Sequence, residues 1–163
     1  MLIFSILTVS DRSSSGIRPD LSGPALSQYI TEHGYKILCE LIVPDELNKI
    51  HDVLLEWCDS GENDIILTTG GTGFAPRDVT PEATLSVIEK NAPGLSELMR
   101  FESLKKTPHA ALSRSVAGIR KQTLIINLPG SPKAAVENLG FVFPILAHAV
   151  ELIKNDPSSE SHH

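Results

Sequence analysis

The sequence predicts an α/β fold in three layers, α/β/α, with a largely parallel sheet at its centre. Three observations carry that expectation. Strand-length apolar runs stand at residues 2–9, 35–43, 64–69 and 123–128, and segments of helical period separate them. Such alternation builds parallel sheets with helices on both faces. The first run is almost wholly apolar, as a strand buried on both faces must be. The loops of unusual composition follow strands, which gathers them on the rim where ligands bind in sheets of this kind.

Taken in order, residues 2–9 lack a basic leader, are interrupted by Ser5 and are too short to span a bilayer. They are read as the first core strand. Residues 10–20 form a polar, turn-rich loop. Leu26, Tyr29 and Ile30 recur at helical spacing, with Gly34 as the C-cap. The second strand ends at Pro44, and Asp45 is placed either to cap the next helix, with Leu47, Ile50, Val53, Leu54 and Trp57, or to hold a cation. After the third strand, Thr80 is expected as an N-cap with Pro81 at the first helical position. A further helix covers 94–105, and 113–122 reads as a short strand and turn before 123–128. Helical segments follow from about 133 to 154, split near Gly140 and Pro144. Residues 1–154 thus make one domain, and 155–163 carry no core-forming pattern and are expected to be a mobile tail.

Composition sets the limits. With 163 residues and 41% hydrophobic content the chain can bury a real core. A formal net charge of -6, with no Lys/Arg run longer than Lys105-Lys106, argues against nonspecific nucleic-acid binding. Cys39 and Cys58 are the only cysteines, no CxxC pair exists, and the six histidines show no metal spacing. The cysteines read as small buried hydrophobes in a reducing compartment. A cytoplasmic protein with neither nucleic-acid nor membrane partners is expected.

The chemistry concentrates at 65–82, where a buried strand runs into Gly70, Gly71, Thr72 and Gly73, then Asp78, then a helix. Glycines let backbone N–H groups approach an anion closely. No GxxxxGK[ST] or GxGxxG pattern is present, so this is neither a Walker A loop nor a Rossmann fingerprint. Asp78 is open to three readings, a second capping group near the helix start, an ion pair with Arg77 or a ligand for Mg²⁺, and Asp45 follows a strand on the same rim. Two carboxylates plus phosphate oxygens and water form a usual Mg²⁺ shell. Pro129, Gly130, Ser131 and Pro132 repeat the logic, a rigid turn opening a helix, where anions are attracted. Ser113 and Arg114 either bind a second anion or line a loop. Asn127, inside an apolar strand, must be hydrogen-bonded if buried, and its place near the strand's carboxyl end suggests ligand contact.

These motifs together resemble a known family. The run LTTGGTGFAPRDVTPEA at 67–83 is similar to the signature of the molybdopterin adenylyltransferases, the MogA type and the G domains of homologues such as gephyrin. TVSD at 8–11, VPDE at 43–46, APG at 92–94, LSR at 112–114, GIR at 118–120 and LIINLPGS at 124–131 continue the pattern in order. The resemblance implies a Rossmann-like molybdopterin-binding fold and transfer of AMP from Mg-ATP to the terminal phosphate of molybdopterin. It places the two essential acids on Asp45 and Asp78, as ligands of Mg²⁺ and neighbours of the nucleotide phosphates. Gly70, Gly71, Thr72, Gly73, Pro129 and Gly130 would hold the nucleotide; Ser103, Ser113 and Asn127 fall on the pterin side. It also implies a homotrimer. The chain has no counterpart of the molybdenum-insertion domain fused to this one in gephyrin-like proteins. Either a separate protein supplies the insertion step or this sequence is a piece of a longer one; Met1, directly before the first strand, favours the expectation of a stand-alone chain. The competing expectations are a carrier that binds the pterin without chemistry and an oligomeric scaffold for a peptide.

Overall fold

A computed structural model describes residues 1–155. In chain order the elements are β1 (Ile3–Val9), α1 (Asp11–Ser14), α2 (Ser22–Glu32), β2 (Lys36–Val43), α3 (Leu47–Asp59), β3 (Ile65–Thr69) and α4 (Thr80–Leu85). They continue with β4 (Lys90–Asn91), α5 (Pro93–Leu104), a 3-10 turn at Pro108–Leu112, β5 (Ala117–Arg120), β6 (Thr123–Leu128) and α6 (Pro132–Ile153). The strands form one sheet in the order β2-β1-β3-β6-β5-β4. β1 pairs in parallel with β2 and β3, and β3 with β6, while β5 and β4 add an antiparallel edge.

The two faces follow from the period of two along each strand. Phe4, Ile6, Ile65, Leu67, Leu124, Ile126 and Leu128 point to the side covered by α2, α5 and α6. Leu7, Val9, Ile66 and Ile125 point to the side covered by α3 and α4. Both faces are covered, which gives the three layers the sequence predicts.

Three local expectations are corrected. Residues 10–20 are not all loop: Ser10 accepts a hydrogen bond from the Ser13 N–H and opens a single turn of helix, α1. Thr80 is not the N-cap of α4; Val79 is, and Thr80 lies inside the first turn. The helix after 131 does not split at Gly140 and Pro144. α6 runs through both, because Ala135, Leu139, Val142, Leu146 and Val150 seat one continuous stripe on the sheet. Among the described residues α6 alone is long and apolar enough to cross a bilayer by length and composition, and one stripe of it packs on the sheet. The tail expectation falls outside the described residues from 156 onward.

Candidate active site

The order of strands fixes where a ligand can sit. From β1 the sheet grows to β2 on one side and to β3 on the other, and connections leaving in opposite directions open a crevice at the carboxyl ends. A cavity of about 470 Å³ lies there, lined by Val9, Ser10, Asp45, Gly70, Gly71 and Asp78 among others.

The backbone of the glycine run explains its composition. Gly70 and Gly71 have φ of +99° and +70°, the left-handed region. A Cβ on Gly70 would collide with the Val9 carbonyl, and one on Gly71 with Thr80 Oγ1, at 3.1 Å from Asp45 Oδ1. Thr80 pins this turn from below: its Oγ1 donates to the Gly70 carbonyl at 2.9 Å and its N–H to the Gly71 carbonyl at 3.1 Å. That work explains why Thr80 does not cap α4. The N–H groups of Gly71, Thr72 and Gly73 donate to no acceptor among the described residues, so they remain available to an anion.

The acids are held by their neighbours. Asp45 Oδ2 accepts from the Asp11 N–H at 2.8 Å, and the Asp45 N–H donates to Asp11 Oδ1 at 3.0 Å. Asp45 is therefore not the cap of α3, whose N-cap position is Glu46. Arg77 grips Asp11 with Nε at 2.6 Å and Nη2 at 2.9 Å. The alternative pairing of Arg77 with Asp78 is not made; Asp78 Oδ2 accepts from the Ala75 N–H at 3.0 Å. Burial pushes the Asp45 carboxyl above its ordinary range; the Asp11 N–H holds it down, and the nearby charges of Asp11 and Asp78 push it up again. The Arg77 guanidinium holds Asp11 below the usual carboxylate range. One oxygen of each of Asp45 and Asp78, Oδ1, makes no protein hydrogen bond among the described residues. These two oxygens are the open positions.

A second cavity, about 350 Å³, adjoins on the other side of the glycine run, lined by Thr72, Gly73, Met99, Ser103, Ser113 and Asn138 among others. It is the more apolar of the two, with Met99, Ala110 and Leu112 in its wall. Ser103 donates to Asn138 Oδ1 at 3.2 Å and Ser113 to Ser115 Oγ at 3.1 Å. Gly130, whose added Cβ would lie 3.3 Å from Gly70 Cα, borders both cavities.

A family model described as a probable molybdopterin binding domain matches residues 5–148. The chain belongs to that family. Among its relatives, the molybdopterin adenylyltransferase of Helicobacter pylori (strain ATCC 700392 / 26695) is 49% identical over 153 residues, 91% of this chain and 85% of the relative. The molybdenum cofactor synthesis protein cinnamon of Drosophila melanogaster is 49% identical over 158 residues, 96% of this chain. The chain spans only about a quarter of the length of cinnamon and of the gephyrin of Dictyostelium discoideum. In structure, the molybdopterin biosynthesis enzyme MoaB from Thermus thermophilus superposes with a TM-score of 0.90 at 49% identity, covering 96% of this chain and 99% of that one.

The structure brings together most of the residues singled out in the sequence and divides them between the two cavities. Asp45, Asp78, Gly70 and Gly71 border the first, Thr72, Gly73, Pro129, Ser103 and Ser113 the second, and Gly130 both. Asn127 borders neither. It is fully buried, its amide donating at 2.9 Å to both Thr68 and Thr84 and its Oδ1 accepting from the Val116 N–H at 3.2 Å. Those bonds tie β6 to β3, α4 and the entry to β5, so its polarity serves the fold behind the site. The Arg114 side chain bonds to the carbonyls of Gly73 and Asp78 and pairs with Glu82, so it serves to hold the loop. Sequence reasoning misses Asp11 as a site residue, although it closely follows a strand on the same rim. Asn138 and Met99 give no signal, being helix positions that only the packing of α5 against α6 turns inward. Both cysteines are free thiols, and burial pushes Cys58 up to about 12, so neither supplies chemistry at the site.

Proposed function

We propose that this chain is a molybdopterin adenylyltransferase of molybdenum cofactor biosynthesis, moving AMP from Mg-ATP onto the terminal phosphate of molybdopterin with release of pyrophosphate. One observation carries the reading: a single glycine run walls two adjoining cavities, one with two half-open carboxylates and Gly71, the other more apolar with Thr72, Gly73 and hydroxyl and amide side chains. A triphosphate suits the first and a planar heterocycle with a phosphate tail suits the second. Their reacting phosphates would then meet at Gly71, Thr72, Gly73 and Gly130. The names borne by relatives at 46–49% identity point the same way.

In this reading an oxygen of the pterin phosphate forms a bond to the α-phosphorus, and the bond to the bridging oxygen breaks as pyrophosphate leaves. The nucleophile is already anionic, so no side chain need take its proton. The protein contributes position and charge, which dominate phosphoryl-type transfers. The amides of Gly71, Thr72 and Gly73 would bind the phosphoryl oxygens, and Pro129 with Gly130 would close the wall. Asn127, behind β6, would hold that wall rather than touch the pterin.

The donor set fits Mg²⁺. Asp45 and Asp78 border one cavity, each with an uncommitted oxygen, and Asp78 acts on the charge of Asp45. The described residues contain no group of three or more candidate ligands, which leaves the remaining positions to phosphate oxygens and water, as Mg²⁺ prefers. When bound there it would offset the charge developing on the phosphoryl oxygens. The proposal includes a homotrimer acting in the cytoplasm with a separate molybdenum-insertion protein; the free cysteines suit a reducing compartment.

The test is pyrophosphate release from protein, molybdopterin, Mg²⁺ and ATP. Asp78→Asn keeps the acceptor for the Ala75 N–H and removes only charge. It is expected to lower the rate by about 10²-fold or more while pterin affinity holds. Equal loss of pterin binding would move Asp78 to the pterin side, and no pyrophosphate from the wild type would leave a carrier.

A further inference from the structure

Resting on that reading, we propose that Arg114 is the positioning residue that couples the two cavities, so that filling one tightens the other. The geometry is specific. The Arg114 N–H donates to the Thr72 carbonyl at 2.8 Å, Nε to the Gly73 carbonyl at 2.7 Å and Nη2 to the Asp78 carbonyl at 2.8 Å, while Nη1 pairs with Glu82. One residue thus holds the glycine run, the cation-side acid and the first turn of α4 in a fixed relation. No lysine can reproduce that planar fork.

The residues on either side of Arg114 belong to the second cavity. Ser113 and Ser115 both line it. Arg100 of α5, lining it too, donates Nη1 to the Ser115 carbonyl at 2.8 Å and to the Ser113 carbonyl at 3.3 Å. A ligand that presses on α5 or on Ser113 therefore loads the short segment 113–115 at both ends. Among the described residues, the side chain of that segment that reaches the other loop is Arg114, and it grips Asp78 by its backbone. Displacing segment 113–115 must move the Thr72, Gly73 and Asp78 carbonyls or break these bonds, and those to Gly73 and Asp78 are partly shielded from water. Thermodynamic linkage makes the effect reciprocal: whatever factor the pterin adds to nucleotide affinity, the nucleotide adds to pterin affinity.

Isothermal titration of the full chain measures this directly, with a non-hydrolysable ATP analogue added in the absence and presence of saturating molybdopterin, both with Mg²⁺. For the wild type, nucleotide affinity is expected to rise by about 5- to 20-fold when the pterin is bound. In Arg114→Lys each ligand alone should bind within about threefold of wild type, while the enhancement falls toward one and kcat drops about tenfold with KM little changed. A merely structural arginine would weaken both single affinities and leave the ratio intact. Should Arg114→Lys fold poorly, Glu82→Gln, at an exposed position, loosens the same guanidinium and should give an intermediate ratio. An unchanged ratio in the variants, or no enhancement in the wild type, overturns the coupling while the enzymatic reading stands. Failure of the wild type to bind either ligand overturns both.

Discussion

Asp45 carries a charge that the fold itself resists. Burial raises its carboxyl pKa, and the charges of Asp11 and Asp78 act in the same direction. An acid whose folded pKa is raised binds its proton more tightly in the native state than in the unfolded chain. Its stabilising contribution is present at low pH and is lost as pH rises through the folded value. Asp45→Asn keeps an acceptor for the Asp11 N–H and deletes that penalty. It should raise the melting temperature by roughly 1–3 °C at pH 7, with the gain shrinking as pH falls through the raised pKa, and it should lose adenylyl transfer. Added Mg²⁺ should stabilise the wild type and not the variant. Thermal melts from about pH 4 to about pH 8, with and without Mg²⁺, check this; an unaltered melting temperature at neutral pH refutes it. Asp11 has the opposite sign: with its pKa held down by Arg77, its contribution is present above the unfolded value and lost as pH falls through the folded one.

At the level of elements, packing outweighs local propensity in α6. Pro144 removes one backbone N–H and its ring crowds the carbonyl of Gly140, and yet the helix continues for 22 residues. The apolar stripe from Ala135 to Val150 supplies the continuity. Because Pro144 is exposed and its neighbours on the buried stripe are not altered, Pro144→Ala restores the missing hydrogen bond at little packing cost. It should stabilise the protein by about 1–3 kcal/mol with pyrophosphate release unchanged. Urea unfolding at constant slope is the measurement, and a fall in midpoint would show that the proline is required for α6 to follow the sheet. α4 illustrates the same competition on a smaller scale. Its sequence carries a capping residue followed by proline, but the Thr80 hydroxyl is drawn to the Gly70 carbonyl, where it shapes the anion loop.

At the scale of the whole molecule, the open sheet ends on β2 and on β4, and the β2 edge is the longer. β2 pairs only with β1 and exposes Leu38, Leu41 and Ile42. An unpaired edge bearing aliphatic side chains is a surface that native proteins cover, and the proposed homotrimer would cover it. Light scattering on the full chain should give three times the chain mass, and Leu41→Asp should shift the population toward smaller species while the isolated fold melts cooperatively. A monomer at micromolar concentration would remove the trimer from the proposal.

Much of this protein was settled by residue order alone. Period and composition marked five of the six strands, four as largely apolar runs such as residues 3–9 and 65–69 and the fifth, β5, within 113–122. The motif at 67–83 marked the glycine run and Asp78, and VPDE at 43–46 marked Asp45; the glycines are legible because left-handed φ and close approach admit glycine almost exclusively. What the linear chain left open is where polar groups find their partners. Asn127 reads as a ligand contact and is a buried strut; Arg114 reads equally as an anion site or a loop residue, and bonds to the carbonyls of Gly73 and Asp78; β4, two residues long, leaves no pattern at all. Only three-dimensional pairing decides such cases, because an amide or guanidinium has the same chemistry facing a substrate as facing a carbonyl, and the choice is made by whichever neighbour the fold delivers within about 3 Å.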